Sequence, residues 1–277
     1  MKEQVDSCVA SVATRRMRDV GIIELARPDS FNSLTPNMVS ALSAAVISFE
    51  ADASIRAVLV CAQGKNFCSG ADLQSLNAIR QDERALRNFL SAGHALMRQI
   101  ECSALPFVAA CQGLCLAGGL ELMLACDVVF ADSTARFGDQ HAKFGVIPGL
   151  GGSQRLPRIV GQRRAMDLFL SAKWIDASEA ERFGLVNRVV TDGLMEAAVA
   201  YCDELATRSP EGLALMKRLA RQGLDMALPT ALAMEVDAAS RFLQGADTGE
   251  GLRAFSERRA PVFPATASNS PNQESPT

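Results

Sequence analysis

The sequence feature that most constrains the fold is a long apolar stretch over residues 105–126. Only Gln112 and Glu121 within it are neither apolar nor small, and its length alone would suit a membrane span. It is broken by one proline and three glycines, Pro106, Gly113, Gly118 and Gly119. The stretch therefore predicts a buried strand, a turn and the start of a buried helix, with Glu121 inside the protein. A buried carboxylate is costly unless it has a partner or a role.

Two glycine-containing segments predict a pair of available backbone donors. Residues 67–73 read FCSGADL and residues 117–121 read AGGLE. Each segment can turn sharply and leave one backbone N–H without a partner. Two such donors that converge on one carbonyl oxygen form an oxyanion hole, which stabilises an enolate or a tetrahedral oxyanion. The pair indicates chemistry at a thioester or a similar carbonyl group.

The rest of the chain alternates between strand-like and helix-like segments. Strands are predicted over residues 20–25, 57–62, 107–110 and 128–130, and helices over residues 35–51 and 82–101. Repeated strand, helix and strand indicate an α/β architecture. From about residue 178 the pattern becomes mostly helical, with helices predicted over 178–183, 192–208, 210–222 and 229–243. The polar tail after Pro264 is predicted to be disordered.

Composition and charge exclude several classes of function. The formal net charge is −3 with basic residues scattered along the chain, so no field attracts nucleic acid or an anionic membrane. The two histidines lie far apart without ligand spacing, so no metal site is expected. The eight cysteines sit mostly in apolar runs and favour buried, reduced thiols. Because the N-terminus lacks a secretory pattern, a cytoplasmic location is expected.

A third glycine-rich segment completes a resemblance that covers residues 10–263. Residues 148–156 read PGLGGSQRL, a loop that leads into a helix. With the segments 24–34 (ELARPDSFNSL), 70–73 (GADL), 117–121 (AGGLE), 177–187 (ASEAERFGLVN) and 250–255 (EGLRAF), the chain resembles the enoyl-CoA hydratase/isomerase family, the crotonase superfamily. The resemblance implies an α/β spiral of ββα units over residues 1–190 and a helical C-terminal trimerisation region over 191–263. Residues 264–277 form the tail.

The same resemblance implies a substrate and most of a site. The substrate is an acyl-CoA thioester, with coenzyme A as part of the substrate and no separate cofactor, and the chain is expected to form a homotrimer or a dimer of trimers. Ala71 and Gly118 fall at the positions of the two oxyanion-hole donors. The positions that line the path of the pantetheine and adenine groups are occupied by Ser30, Phe31, Asp72 and Leu73, together with Ala71 and Gly118.

The acid–base groups are where the chain departs from the family pattern. Hydratases of this family hold one water between two glutamates, which add it across the double bond. Glu121 matches the first glutamate, whereas His141 occupies the position of the second. A histidine can accept or donate a proton near neutral pH, so the exchange can change the chemistry without abolishing it. Asp139 lies two residues away, where it can partner the imidazole or replace it. His94 is interpreted as a histidine on the face of the long helix.

Three functions remain open from the sequence. The first is a hydro-lyase that hydrates a 2-enoyl-CoA, with Glu121 holding the water and His141 exchanging the proton at the α-carbon. The second is an enoyl-CoA isomerase or a decarboxylase, which needs the same oxyanion hole and a single acid–base residue. The third is a non-catalytic protein that binds acyl-CoA, against which the retained Glu121 and the two turns argue.

Overall fold

A computed structural model describes residues 4–9 and 11–264. The strands are β1 (Gln4–Val9), β2 (Val12–Met17), β3 (Val20–Leu25), β4 (Ala57–Ala62), β5 (Phe107–Cys111), β6 (Leu114–Leu116), β7 (Val128–Asp132), β8 (Arg136–Gly138), β9 (Ile175–Asp176) and β10 (Arg188–Val190). The helices are α1 (Pro36–Ala51), α2 (Leu73–Ile79), α3 (Glu83–Cys102), α4 (Gly118–Ala125), α5 (Gly152–Val160), α6 (Gln162–Ser171), α7 (Ala177–Arg182), α8 (Leu194–Ala206), α9 (Pro210–Gly223), α10 (Leu228–Phe242) and α11 (Ala246–Ser256). Short 3₁₀ turns lie at Pro28–Ser30 and His141–Phe144.

The strands form two sheets. The larger has the order β1-β2-β3-β4-β5-β7-β10, antiparallel from β1 to β3 and parallel from β3 to β10. The smaller has the order β6-β8-β9. Parallel neighbours need crossover connections, which the helices between them supply. The predicted α/β architecture is confirmed.

Strands β3, β4 and β5 of the large sheet are buried on both faces because they are apolar at almost every position. Ile23 and Val60 point into the main core, which lies between the sheet and helices α1, α3, α4 and α5. Ile22 and Leu59 point to the opposite face, where α8 covers them. Adjacent residues of a strand alternate between faces, so an almost continuous apolar run gives two cores.

The chain winds as a repeated unit of two strands and a helix. One turn consists of β5 in the large sheet, β6 in the small sheet and then α4, and the next consists of β7, β8 and α5. Isolated parallel bridges, Leu34 to Ala71 and Cys68 to Cys115, join earlier turns to this stack. The expected spiral of ββα units is therefore observed. The apolar stretch over 105–126 contains the predicted buried strand, β5, and the predicted buried helix, α4, with the unpredicted short strand β6 between them.

Apolar runs and helix caps in the sequence predicted the bounds of several strands and helices correctly. Strands β3 and β4 span the predicted residues, and Thr35 caps α1 by accepting a hydrogen bond from the N–H of Met38. Asp82 caps α3 in the same way through Ala85. Nine elements had not been predicted: β1, β2, β6, β8, β9, β10, α2, α6 and α11.

After β10 the described chain is helical only, from α8 to α11. The predicted disordered tail after Pro264 lies outside the described residues. None of the helices in the described part of the chain combines the length and apolar character that a membrane crossing requires. Among the cysteines whose side chains are described, six are buried as free thiols and Cys102 is exposed.

Candidate active site

A cavity of about 780 Å³ opens where the N-terminus of α4 meets α2, α3 and the segment that precedes α5. Its wall is mostly apolar, with contributions from Leu76, Leu86, Phe89, Leu90, Phe144, Ile147 and Trp174. Five predicted site residues line it, namely Ala71, Leu73, Gly118, Glu121 and His141. Segments far apart in the sequence thus meet at one concave, largely apolar site, as substrate pockets do.

Ala71 presents a backbone N–H whose direction is fixed by a parallel bridge. Leu34 donates to the carbonyl of Gly70 at 2.7 Å and accepts from the N–H of Asp72 at 2.9 Å. Because Ala71 lies between these two bonded groups, its own N–H points away from Leu34. No acceptor among the described residues takes it.

Gly118 presents the second donor at the first residue of α4, where a helix leaves its N–H groups unpaired. A Cβ atom on Gly118 would lie 3.3 Å from the nitrogen of Ala71, so the two backbones run in close contact. Ala117 before it has φ 47° and ψ −117°, a strained conformation for a residue with a side chain. Strain of this kind accumulates at functional sites, and here it orients the first turn of α4.

Glu121 lies on the first turn of α4 and is 1% exposed. Its Oε1 accepts two backbone hydrogen bonds, from Leu150 at 2.8 Å and from Gly152 at 2.7 Å. A Cβ atom on Gly152 would lie 3.1 Å from that oxygen, which leaves little room for a larger residue. Among the described residues no arginine or lysine pairs with Glu121, and these two backbone N–H groups hold the buried carboxylate instead.

His141 stands between two buried carboxylates. Its Nε2 lies 3.9 Å from Oε2 of Glu121, and its Nδ1 lies 3.0 Å from Oδ1 of Asp139. Asp139 is 2% exposed and also accepts a hydrogen bond from the backbone N–H of His141 at 3.3 Å. The Nδ1 contact is close but not aligned as a hydrogen bond. Of the two roles considered for Asp139, the geometry favours partner of the imidazole.

The electrostatics of this array follow from burial and charge. Burial raises the pKa of Glu121 above its ordinary value, although the N–H of Gly152 and the imidazole of His141 oppose the shift. Burial lowers the pKa of His141, but contact with Asp139 and the charge of Glu121 outweigh burial and raise it above its ordinary value. At neutral pH the second shift increases the protonated fraction of His141.

The other predicted contact residues lie outside the centre of the cavity. Leu73 is on its wall and exposed. Phe31 is exposed, and its carbonyl accepts from the N–H of Ser69. Ser30 ends the 3₁₀ turn before it. The Asp72 side chain caps α2 and faces Arg27 and Ser33, so any contribution of Asp72 to a ligand comes from its backbone.

The comparisons with known proteins agree with this geometry. A family model described as enoyl-CoA hydratase/isomerase matches residues 15–266. The chain belongs to this family. Its place in the crotonase superfamily, inferred from the sequence motifs, is confirmed.

Several similar proteins carry hydratase names. A probable enoyl-CoA hydratase of Rhizobium meliloti is 36% identical over 245 residues, covering 88% of this chain and 94% of that protein. The mitochondrial methylglutaconyl-CoA hydratase of Homo sapiens is 34% identical over 252 residues, covering 89% and 74%. The crystal structure of an enoyl-CoA hydratase from Bacillus anthracis superposes with a TM-score of 0.88 at 33% identity, covering 92% of this chain and 100% of that one. The crotonase fold is therefore shown.

Sequence reasoning missed the groups that hold Glu121. The glycine-rich segment before α5 had been recognised as a loop that leads into a helix, but nothing in its pattern linked the N–H groups of Leu150 and Gly152 to a side chain on α4. His94 lies on an exposed part of α3, as expected, and it also lines the cavity. Trp174, the chain's one tryptophan, lines it without any sequence signal.

The contact between Asp139 and His141 can be tested directly. We expect Asp139→Asn to lower the pKa of His141, because a negative charge beside Nδ1 is lost while the side-chain volume is kept. NMR titration of the imidazole signals measures this pKa, and His141→Gln assigns the signal. The chain has only two histidines, so His94 serves as an internal reference whose signal stays unchanged. An unchanged His141 titration would show that Asp139 does not act on the imidazole.

Proposed function

We propose that the protein is a hydro-lyase that hydrates a 2-enoyl-CoA thioester. The observation that carries the proposal is the placement of two acid–base groups, Glu121 and His141, in one apolar cavity beside two free backbone donors. The names of the similar proteins, among them the short-chain-enoyl-CoA hydratase of Clostridium acetobutylicum, support hydration as the reaction. Binding alone would require neither acid–base group.

In this mechanism the thioester oxygen accepts hydrogen bonds from the N–H groups of Ala71 and Gly118. As water attacks the β-carbon, electrons move from the double bond to that oxygen and an enolate forms. Donors placed in advance at such an oxygen are each worth about 10²–10³ in rate. The N-terminus of α4 adds a favourable partial positive charge at the same point.

Glu121 and His141 divide the proton transfers. Ionised Glu121 accepts the proton of the water as its oxygen bonds to the β-carbon, and protonated His141 gives its proton to the α-carbon. The product is a 3-hydroxyacyl-CoA, and the proton on Glu121 then returns to His141. The 3.9 Å between Oε2 and Nε2 is too long for a hydrogen bond but short enough for one water oxygen to contact both groups.

Hydration accounts for the site better than an isomerase or a decarboxylase. Those reactions need one acid–base residue. The site holds two, because His141 places a titratable group close to Glu121 at the position of the family's second glutamate. The lining of Leu86, Leu90 and Phe144 suits an apolar acyl group. The reactants are the coenzyme A thioester and water, and the proposed mechanism uses no separate cofactor.

Purified protein should remove the conjugated absorbance of crotonyl-CoA and of a longer 2-enoyl-CoA. We expect Glu121→Gln and His141→Ala each to reduce the rate by about 10²–10⁴, the usual contribution of a general acid or base. Glu204→Gln, on the exposed face of α8, is the matched control and should keep the wild-type rate. A wild-type protein that binds acyl-CoA but leaves both substrates unchanged would contradict hydration and favour the isomerase, the decarboxylase or simple binding.

The pH dependence of kcat/KM tests whether His141 is the second acid–base group. The active form has Glu121 ionised and His141 protonated, so kcat/KM should rise with pH through the raised pKa of Glu121 and fall through the raised pKa of His141. In His141→Gln the alkaline fall should vanish along with most of the rate. An alkaline limb that persists in this variant would assign it to another group.

We also propose a cytoplasmic protein that assembles through its helical C-terminal region, residues 191–263, as a homotrimer or a dimer of trimers. The support is a set of exposed apolar side chains on α10 and α11, namely Leu228, Leu232, Val236, Leu252 and Phe255. Exposed apolar side chains that lie together on a surface often mark a protein–protein interface. Light scattering should give three or six times the chain mass of 29.5 kDa. A mass of one chain would contradict assembly.

A further inference from the structure

Arg155 belongs to the glycine-rich motif, but the reaction proposed above gives it no task. It lies on the first turn of α5, and its side chain is 13% exposed. Its Nε and Nη2 donate to the two carboxylate oxygens of Glu101 at 2.6 and 3.0 Å. Its Nη1 donates to the backbone carbonyl of Leu150 at 2.8 Å. The guanidinium thus joins the end of α3 to the loop that precedes α5.

Leu150 connects this guanidinium to the candidate site. Its carbonyl accepts from Arg155, and its N–H donates to Oε1 of Glu121 at 2.8 Å. Gly151 follows with φ +106°, and a Cβ atom there would lie 3.0 Å from Cζ of Arg155. A glycine at this position therefore serves both the left-handed turn and the close approach of the guanidinium.

Glu101 is itself held in place by further charges. Arg221, on α9, lies 3.4 Å from Oε1 of Glu101 and donates to the carbonyl of Ala125, the last residue of α4. Arg221 also pairs with Asp127 at 3.0 Å, and Lys217 pairs with Asp127 at 2.7 Å. Helix α4 carries Glu121 near one end and contacts this ion network at the other.

We propose that Arg155 is a positioning residue for Glu121. The guanidinium of Arg155 fixes the Leu150 and Gly152 N–H groups where they hold the Glu121 carboxylate. The inference rests on the proposed function. Arginine suits the position because its planar fork contacts a carboxylate and a carbonyl at once, whereas lysine offers one point charge. The lysine variant therefore keeps the charge and loses the geometry.

The test compares Arg155→Lys with Arg158→Lys, an exposed arginine one turn further along α5. In Arg155→Lys we expect kcat for 2-enoyl-CoA hydration to fall about 10- to 100-fold with KM nearly unchanged, since a displacement of about 1 Å can cost 10² in rate. The acid limb of the pH profile should move to higher pH, because a carboxylate that loses N–H donors binds its proton more tightly. Arg158→Lys should match the wild type in both respects.

A second readout does not depend on activity. NMR of protein labelled with ¹³C at the glutamate carboxyl carbons, with the signal assigned by Glu121→Gln, gives the pKa of Glu121. His141 and Asp139 are the charged groups that face it, and neither substitution alters them. We expect this pKa to rise in Arg155→Lys and to stay constant in Arg158→Lys.

The outcomes separate the inference from the proposed function. A folded Arg155→Lys with wild-type kcat and an unchanged Glu121 pKa overturns the positioning role. If the wild type fails to hydrate any 2-enoyl-CoA, the proposed function is wrong, and the NMR measurement still decides the inference. If Arg155→Lys does not fold, Glu101→Gln loosens the same guanidinium by removing its charged partner. In Glu101→Gln we expect a smaller fall in kcat and a smaller rise in the pKa of Glu121. The absence of both changes overturns the inference.

Discussion

The hydrogen bonds that Leu150 and Gly152 donate to Glu121 hold the candidate site together. A carboxylate without partners inside an apolar core would cost several kcal/mol or lose its charge. Two backbone donors reduce that cost, and they also tie α4 to the start of α5. The carboxylate is therefore both a candidate base and the link between two successive turns of the spiral.

The same hydrogen bonds bear on the proposal that His141 stands in for a second glutamate. Both donors take Oε1 of Glu121, so Oε2 remains the oxygen that faces the cavity and the imidazole. A second carboxylate at this distance would repel the first and raise its pKa further. A protonated imidazole attracts it instead, and Asp139 on the far side favours the protonated form. With His141 protonated, the site is an alternating array of carboxylate, imidazolium and carboxylate instead of a pair of like charges.

Sequence reasoning succeeded where the signal is local. The ends of β3, β4 and α1 follow from apolar runs and from the Thr35 cap, both of which depend on neighbours in the chain. It failed for β6, β8 and β9, which have two or three residues each and exist only because partners distant in sequence lie beside them. No propensity is measurable over so short a run.

The candidate site shows the same division. The glycines near Ala71 and Gly118 predicted the two turns. Glu121 was predicted as a site residue because it is the one acidic residue in an apolar run. The direction of the Ala71 N–H could not be predicted from the sequence, because it depends on which groups of Gly70 and Asp72 pair with Leu34. Backbone donors carry no side-chain signature. The N–H groups of Leu150 and Gly152 could be assigned to Glu121 only once the fold had brought them together.

Helix α4 connects the N–H of Gly118, the carboxylate of Glu121 and the contact with Arg221. It is only eight residues long and entirely buried, so it cannot shift without disturbing the core on every side. Its first residue presents the N–H proposed as one oxyanion donor, its fourth is Glu121, and its last carbonyl accepts a hydrogen bond from Arg221. A rigid element of this kind holds the Gly118 N–H and the Glu121 carboxylate at a constant separation, which the proposed enolate mechanism requires of a preorganised site. His141, the second proposed acid–base residue, lies instead on a 3₁₀ turn outside the helix, so its position relative to Glu121 depends on a separate segment of the chain.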